Sequence, residues 1–105
     1  MLFIAIGDHH PSMCPSTNKQ VFDMISQSME QMQGLADQLK VKLVGAYSLA
    51  PQHRLVIIID APDADAARQM IMRSRLANWN DLALSPAMPV EDAIRFAGDL
   101  LSGKI

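Results

Sequence analysis

Two of the three histidines and the only cysteine of this chain, His9, His10 and Cys14, fall in one short polar segment. The segment follows an apolar run at residues 2–7 and precedes a long amphipathic stretch, a pattern typical of a loop between a strand and a helix. Imidazole nitrogen and cysteine sulfur can bind a transition metal, contact a haem, or serve as a base and a nucleophile. The segment therefore marks where chemistry is expected and leaves its kind open.

Length, composition and charge restrict the class of protein. The chain has 105 residues, 50% of them hydrophobic, and a net charge of −2, which predicts one domain over residues 1–105. No basic cluster interleaved with aromatic residues supports nucleic-acid binding. No apolar run approaches the roughly 20 residues of a membrane helix, and the first residues lack the pattern of a signal peptide. These patterns predict a protein that binds neither nucleic acid nor membrane. Because one cysteine cannot form an internal disulfide, we also expect the protein to be cytoplasmic.

Hydrophobic periodicity predicts the order β-α-β-β-α-β followed by a further helix. The predicted strands are 2–7, 41–49, 53–59 and 79–85, and the predicted helices are 17–39, 62–76 and 89–101. Thr17 is predicted as the N-cap of the first helix, with Pro15 at the first helical position as the alternative. Strict alternation along the second strand places Leu43, Gly45 and Tyr47 on one face of the sheet.

The third predicted strand, residues 53–59, is apolar on both faces. In a sheet of this order it is central, and the two helices of the βαββαβ unit cover only one face. The other face then needs a partner, which a second copy packed sheet against sheet would supply. The pattern therefore predicts a homodimer or a higher homo-oligomer.

A βαββαβ chain of about 100 residues resembles the dimeric α/β-barrel superfamily. The resemblance covers nearly the whole chain and rests on the element order and on the apolar third strand. It implies an α+β, ferredoxin-like fold with an extra C-terminal helix, paired sheet to sheet in a dimeric α/β barrel. The first loop also looks like a pattern in small uncharacterised members: His9-x-Pro11-x-x-Cys14-Pro15-x-x-Asn18. The better-known members include cofactor-free monooxygenases, haem-degrading enzymes, haem-dependent peroxidases and muconolactone isomerases. None of their active-site signatures matches here, so the resemblance implies no specific activity.

The predicted topology gathers distant residues beside the first loop. The end of the first strand, the hairpin between the second and third strands, and the start of the fourth strand are expected at one edge of the sheet. The residues expected there are Asp8, His9, His10, Cys14, Asn18, Tyr47, His53, Trp79 and Asp81. His9, Cys14 and His53 could supply two nitrogens and one sulfur to a metal, with His10 or Asp8 as a further donor. Copper, zinc and iron all accept such a set.

The remaining residues of this edge have two interpretations each. Asn18, Tyr47 and Trp79 are predicted to contact a bound cofactor. Asn18 could instead hold the loop at the helix cap, and the two aromatic residues could simply pack. Asp81 could orient a ligating imidazole or lie solvated at the strand end.

Three functions remain open, and with them the question of whether the protein is an enzyme. The first is binding of a transition metal or haem through His9, His10, Cys14 and His53, with an affinity that falls below about pH 6 as imidazole protonates. The second is a metal-free enzyme or binding domain for a small, largely apolar ligand. There His53 or His9 is the base, and Cys14 is a nucleophile or a bystander. The third is a non-enzymatic dimer with a regulatory or interaction role.

Overall fold

The computed structural model describes residues 1–104, so Ile105, the last residue of the predicted domain, lies outside the described residues. The strands are β1 (Leu2–Asp8), β2 (Lys42–Leu49), β3 (Arg54–Asp60) and β4 (Asp81–Ala87). The helices are α1 (Lys19–Leu39), α2 (Ala64–Arg73) and α3 (Val90–Leu101). Single turns of 3₁₀ helix, Pro11–Met13 and Leu76–Asn78, precede α1 and β4. The predicted order of elements, including the additional C-terminal helix, is confirmed.

The strands form one sheet in the order β2-β3-β1-β4, and each neighbouring pair is antiparallel. At the end of β1, Asp8 pairs with Arg54 of β3 on one side and with Asp81 of β4 on the other. This element order and sheet are those of an α+β, ferredoxin-like fold, as predicted. The loop after β1, the hairpin before β3 and the segment before β4 therefore meet at one edge of the sheet.

The core lies between the sheet and helices α1 and α2. Alternate side chains of the two central strands, Phe3 and Ala5 of β1 and Ile57 and Ile59 of β3, are at most 5% exposed. Met70 of α2 packs against them in the same cluster. Each large apolar side chain buried in this way stabilises the fold by about 1.5–3 kcal/mol. The packing fixes the sheet under the helices and thereby fixes the edge where the loops meet.

Strand β2 departs from the strict alternation that the sequence predicts. Its pairing with β3 shifts register between Leu43 and Gly45, where Val44 is an extra residue. Because such a bulge reverses the alternation beyond it, Gly45 and Tyr47 lie on the face opposite to Leu43. The prediction that these three residues share a face is therefore wrong.

The second face of the sheet is apolar and open. Leu2, Ile6, Tyr47 and Leu49 lie on it, and each is more than a third exposed. The first face, in contrast, is covered by helices α1 and α2, as predicted. The open face is the surface on which the sequence predicts a partner.

Helix α3 is amphipathic but has no buried residue. Ile94, Phe96 and Leu101 are all more than half exposed. Within residues 1–104, neither α3 nor any other helix combines the length and apolar character needed to cross a membrane.

Candidate metal centre

Three side chains from separate parts of the chain converge at the edge of the sheet where the loops meet. His9 follows β1, Cys14 lies in the loop before α1, and His53 precedes β3. One ligand atom of each lies within 4.8 Å of the others. The backbone N–H of His9 donates to the carbonyl oxygen of His53 at 3.0 Å, and the two imidazole rings meet edge to face at 5.4 Å. The predicted convergence of these three residues is confirmed.

Asn80 sets the orientation and tautomer of His9. Its side-chain nitrogen donates to the carbonyl oxygen of Leu76 at 3.1 Å, which leaves Oδ1 to face His9 Nδ1 at 2.8 Å. Since Oδ1 can only accept, Nδ1 carries the proton and Nε2 carries a lone pair. Within residues 1–104, His9 Nε2 is buried and has no hydrogen-bond partner. A metal ion would satisfy this lone pair, and an Asn that receives the other ring N–H is the support that metal-bound histidines require.

Trp79 holds His9 from a second side. The indole lies 4.9 Å from the imidazole, between ring centroids, with the planes inclined at 53°. Trp79 is only 6% exposed, so the surface it offers His9 is rigid. Its role in positioning an imidazole adds to the packing role that the sequence leaves open.

Cys14 is half-buried, and its surroundings favour the thiolate. Hydrogen bonds from the hydroxyl and backbone of Ser16 are the main cause that lowers the pKa of the thiol from 9.0 to about 6; the two neighbouring imidazoles contribute less, and partial burial opposes them. The Sγ atom lies 2.9 Å from Ser16 Oγ. The thiolate, which is the form that binds metals and attacks electrophiles, therefore predominates at neutral pH.

His53 takes part through an uncommon backbone conformation. Its φ of 56° lies in the left-handed region, where histidine is enriched among the non-glycine residues that occupy it. The next residue, Arg54, donates to the carboxylate of Asp8 at 2.7 Å across the sheet edge. Because this ion pair holds Asp8, its carboxylate is not part of the converging group, contrary to the prediction that it could add a donor.

His10 does not join the group either. It is exposed, and its Nδ1 accepts from the backbone N–H of Ser12 at 3.1 Å and lies 2.8 Å from the Ser12 hydroxyl. These contacts make His10 the N-cap of the 3₁₀ turn Pro11–Met13. The structure thus separates the two adjacent histidines: one faces Cys14 and the other caps a turn.

Asn18 lies at the start of α1 as its N-cap. Its Oδ1 accepts from the backbone N–H of Val21 at 3.1 Å, and its amide nitrogen donates to the carbonyl oxygen of Ser12 at 3.0 Å. The Thr17 hydroxyl instead donates to the carbonyl oxygen of Pro11 at 2.6 Å. The predictions of Thr17 as the cap, and of Pro15 at the first helical position, are therefore wrong, because the loop uses Thr17 for its own closure. The structure gives Asn18 the loop-holding role, and a cofactor contact by it stays a prediction.

Tyr47 lies on β2 and Asp81 begins β4, and a contact of either with a bound group stays a prediction. Tyr47 is 59% exposed on β2. Asp81 pairs with Asp8, and the preceding residue, Asn80, faces His9 in one of the two roles that the sequence leaves open for Asp81. Successive side chains of an extended segment point to opposite sides, so only one of the two neighbours can reach the imidazole. The sequence offers no signal that selects Asn80, nor one that selects Ser16.

The fold of this chain is similar to that of solved structures. No known family model matches the sequence, and no curated protein matches it. A crystal structure of muconolactone isomerase is similar, with a TM-score of 0.52 and 18% identity over 85% of this chain and 90% of that one. The de novo designed protein Ferredog-Diesel is similar with a TM-score of 0.52 and 12% identity, over 81% of this chain and 83% of its own. The chain therefore has a ferredoxin-like fold, and the fold that the predicted resemblance implies is confirmed.

Proposed function

We propose that this protein binds a transition-metal ion through the imidazoles of His9 and His53 and the thiolate of Cys14. The buried lone pair of His9 Nε2, unpartnered within residues 1–104, carries the proposal. It converges with a thiol whose pKa is lowered to about 6, so the sulfur is in its metal-binding form at neutral pH. Three protein ligands leave a further position for water or a substrate, as catalytic sites require.

The donor set favours zinc or copper as a single ion over haem. Imidazole nitrogen suits both metals, and a thiolate selects for softer ones. A haem iron offers protein ligands only its two axial positions, on opposite sides of the macrocycle. Three donor atoms within 4.8 Å of one another instead surround one point, as a tetrahedral ion requires.

The proposal includes a homodimer in the cytoplasm. The open apolar face of the sheet supports a second copy as partner. A thiolate ligand without a cysteine partner suits a reducing compartment. Residues 1–105 act as one domain in this proposal.

Metal content and cobalt spectroscopy test the site directly. Protein purified without a histidine tag is expected to bind one zinc or copper per chain, and Co²⁺ in its place should show a thiolate-to-metal absorption band. Cys14→Ala and His9→Ala should each weaken binding by at least about tenfold, which corresponds to 1.4 kcal/mol. His53→Asn should do the same, and Asn tolerates the left-handed backbone at that position.

His10→Ala provides the matched control, since it removes a neighbouring imidazole that caps a turn outside the group. It is expected to leave the cobalt band and the affinity unchanged. The proposal fails if the protein takes up no metal on titration, or if His10→Ala weakens binding as much as His9→Ala.

Metal-free thiol chemistry is the second candidate function. The observation that favours it is the lowered pKa of Cys14 beside two imidazoles, an arrangement that suits a nucleophile and its base. Metal-free protein whose Cys14 reacts rapidly with electrophilic substrates at neutral pH, and which takes up no zinc or copper, would support this function over the first.

A further inference from the structure

A cavity of about 270 Å³ lies between the sheet and the two helices that cover it. Its wall is almost wholly apolar, and the side chains that matter here are Met29, Met32, Leu55, Ile57, Ile59 and Met70. Ser74 is one of the few polar residues in the wall, and its hydroxyl already donates to the carbonyl oxygen of Ile71 at 2.9 Å. A wall of this composition selects a molecule with little need for hydrogen bonds.

The size of the cavity restricts its occupant to a small molecule. An engineered apolar cavity of about 150 Å³ binds benzene. A volume of about 270 Å³ therefore suits a hydrocarbon skeleton of one or two rings.

The cavity has an entrance between α1 and the edge strand β2. Of the residues in its wall, Met29 on α1 is 67% exposed and Leu43 on β2 is 38% exposed. These two flexible side chains lie on either side of a path from solvent to the buried part of the wall.

Trp79 connects the cavity to the three donors. It forms part of the cavity wall, and its ring also contacts the imidazole of His9 at 4.9 Å. At 6% exposure the indole is confined by its neighbours, so a molecule that displaces it changes the support of His9. The indole of Trp79 is therefore part of the cavity wall and also part of the support of His9.

We propose that the cavity binds a small apolar molecule and that Trp79 couples its binding to the metal centre, an inference that rests on the proposed function. The coupling is reciprocal: the factor by which the apolar molecule changes metal affinity equals the factor by which the metal changes affinity for that molecule. The ligand class of the metal centre is then a hydrocarbon-like compound that enters between Met29 and Leu43.

Toluene binding, followed through the methyl signals of the methionines, tests the cavity. With ¹³C-labelled methionine methyls, toluene should shift Met29, Met32 and Met70 and leave Met1, Met13 and Met88 in place. Ala46 lines the cavity on β2, whereas Ala83 lies on the opposite face of the sheet. Ala46→Leu should abolish the shifts, and Ala83→Leu, the matched control, should retain them. Absence of shifts in the unmodified protein, or equal shifts in all methionines, overturns the inference.

Co²⁺ titration with and without saturating toluene tests the coupling. The two Co²⁺ affinities should differ by about fivefold or more, which is the lower end of known coupling between sites. In Trp79→Phe both ligands should still bind, with the ratio of affinities close to one. If Co²⁺ binds and toluene does not, this inference fails while the metal site stands. If toluene binds and Co²⁺ does not, both the proposed function and the coupling fail. If both ligands bind but neither changes the affinity for the other, only the coupling fails.

Discussion

Ser16 is the single residue that most strongly affects the reactivity of Cys14. Its hydroxyl lies 2.9 Å from Sγ and is the foremost cause of the lowered thiol pKa, ahead of both imidazoles. The charge state of the sulfur therefore depends more on a neighbour in the same loop than on the distant histidines. This dependence can be measured without any assumption about which metal binds.

Alkylation of metal-free protein by iodoacetamide should report the pKa of Cys14. Because only the thiolate reacts, the rate should rise with pH and reach half its maximum at about pH 6, where an unperturbed thiol would do so near 9.0. Ser16→Ala removes the main cause, so its half-maximum should move to higher pH. Ser12→Ala is the matched control, because the Ser12 hydroxyl contacts His10 and not Cys14. An unchanged midpoint in Ser16→Ala, or an equal change in Ser12→Ala, would contradict this account.

At the scale of elements, Asn18 joins the reactive loop to α1. One end of its amide accepts from the first turn of the helix at Val21, and the other donates back to the carbonyl oxygen of Ser12. The position of Cys14 is therefore set by the same residue that begins the helix. A change at Asn18 should affect the fold before it affects the chemistry.

Asn18→Ala is expected to lower the free energy of unfolding by about 1–2 kcal/mol in urea denaturation, the usual cost of losing a helix N-cap. Asn18→Asp keeps an accepting oxygen and places a negative charge at the helix N-terminus, so it should lose less. Asn78→Ala, at an exposed asparagine outside the helix caps, should stay within about 0.5 kcal/mol of the unmodified protein. A cost for Asn18→Ala no greater than that of Asn78→Ala would show that the cap does not stabilise the helix.

The order of the elements can be predicted from the sequence, whereas some details within them cannot. The order of elements follows from periodicity, because each strand and helix must bury one apolar stripe, and that order brings His53 to Cys14. The bulge at Val44 escapes prediction, since one extra residue leaves the local composition of β2 unchanged. The choice between adjacent polar residues escapes it too: Asn18 replaces Thr17 as the cap. The cap depends on which of two adjacent side chains reaches the first turn of the helix and which closes the loop. The bulge depends on the register of β2 against β3.

Within residues 1–104, the whole molecule leaves two apolar surfaces without a partner. One is the open face of the sheet, and the other is α3, which buries none of its side chains. Four strands at about 4.8 Å spacing and seven residues at about 3.3 Å give a face of roughly 440 Å². Two such faces pressed together bury roughly 900 Å², less than the roughly 1,200–2,000 Å² of stable interfaces. The apolar side of α3 from each copy would bring the total into that range.

Light scattering at micromolar concentration should therefore give twice the chain mass of 11.5 kDa. Ile6 lies on the open face and is 44% exposed, and Ile6→Asp would place a charge at the centre of the interface. Burying an unpaired carboxylate costs several kcal/mol, so this variant should have the mass of one chain while keeping its far-ultraviolet circular dichroism. Phe22→Asp makes the same kind of change on α1, at a residue 54% exposed, and should leave the mass doubled. A single-chain mass for the unmodified protein would refute the dimer. Equal dissociation of both variants would place the interface elsewhere, because only one of the two residues lies on the open sheet.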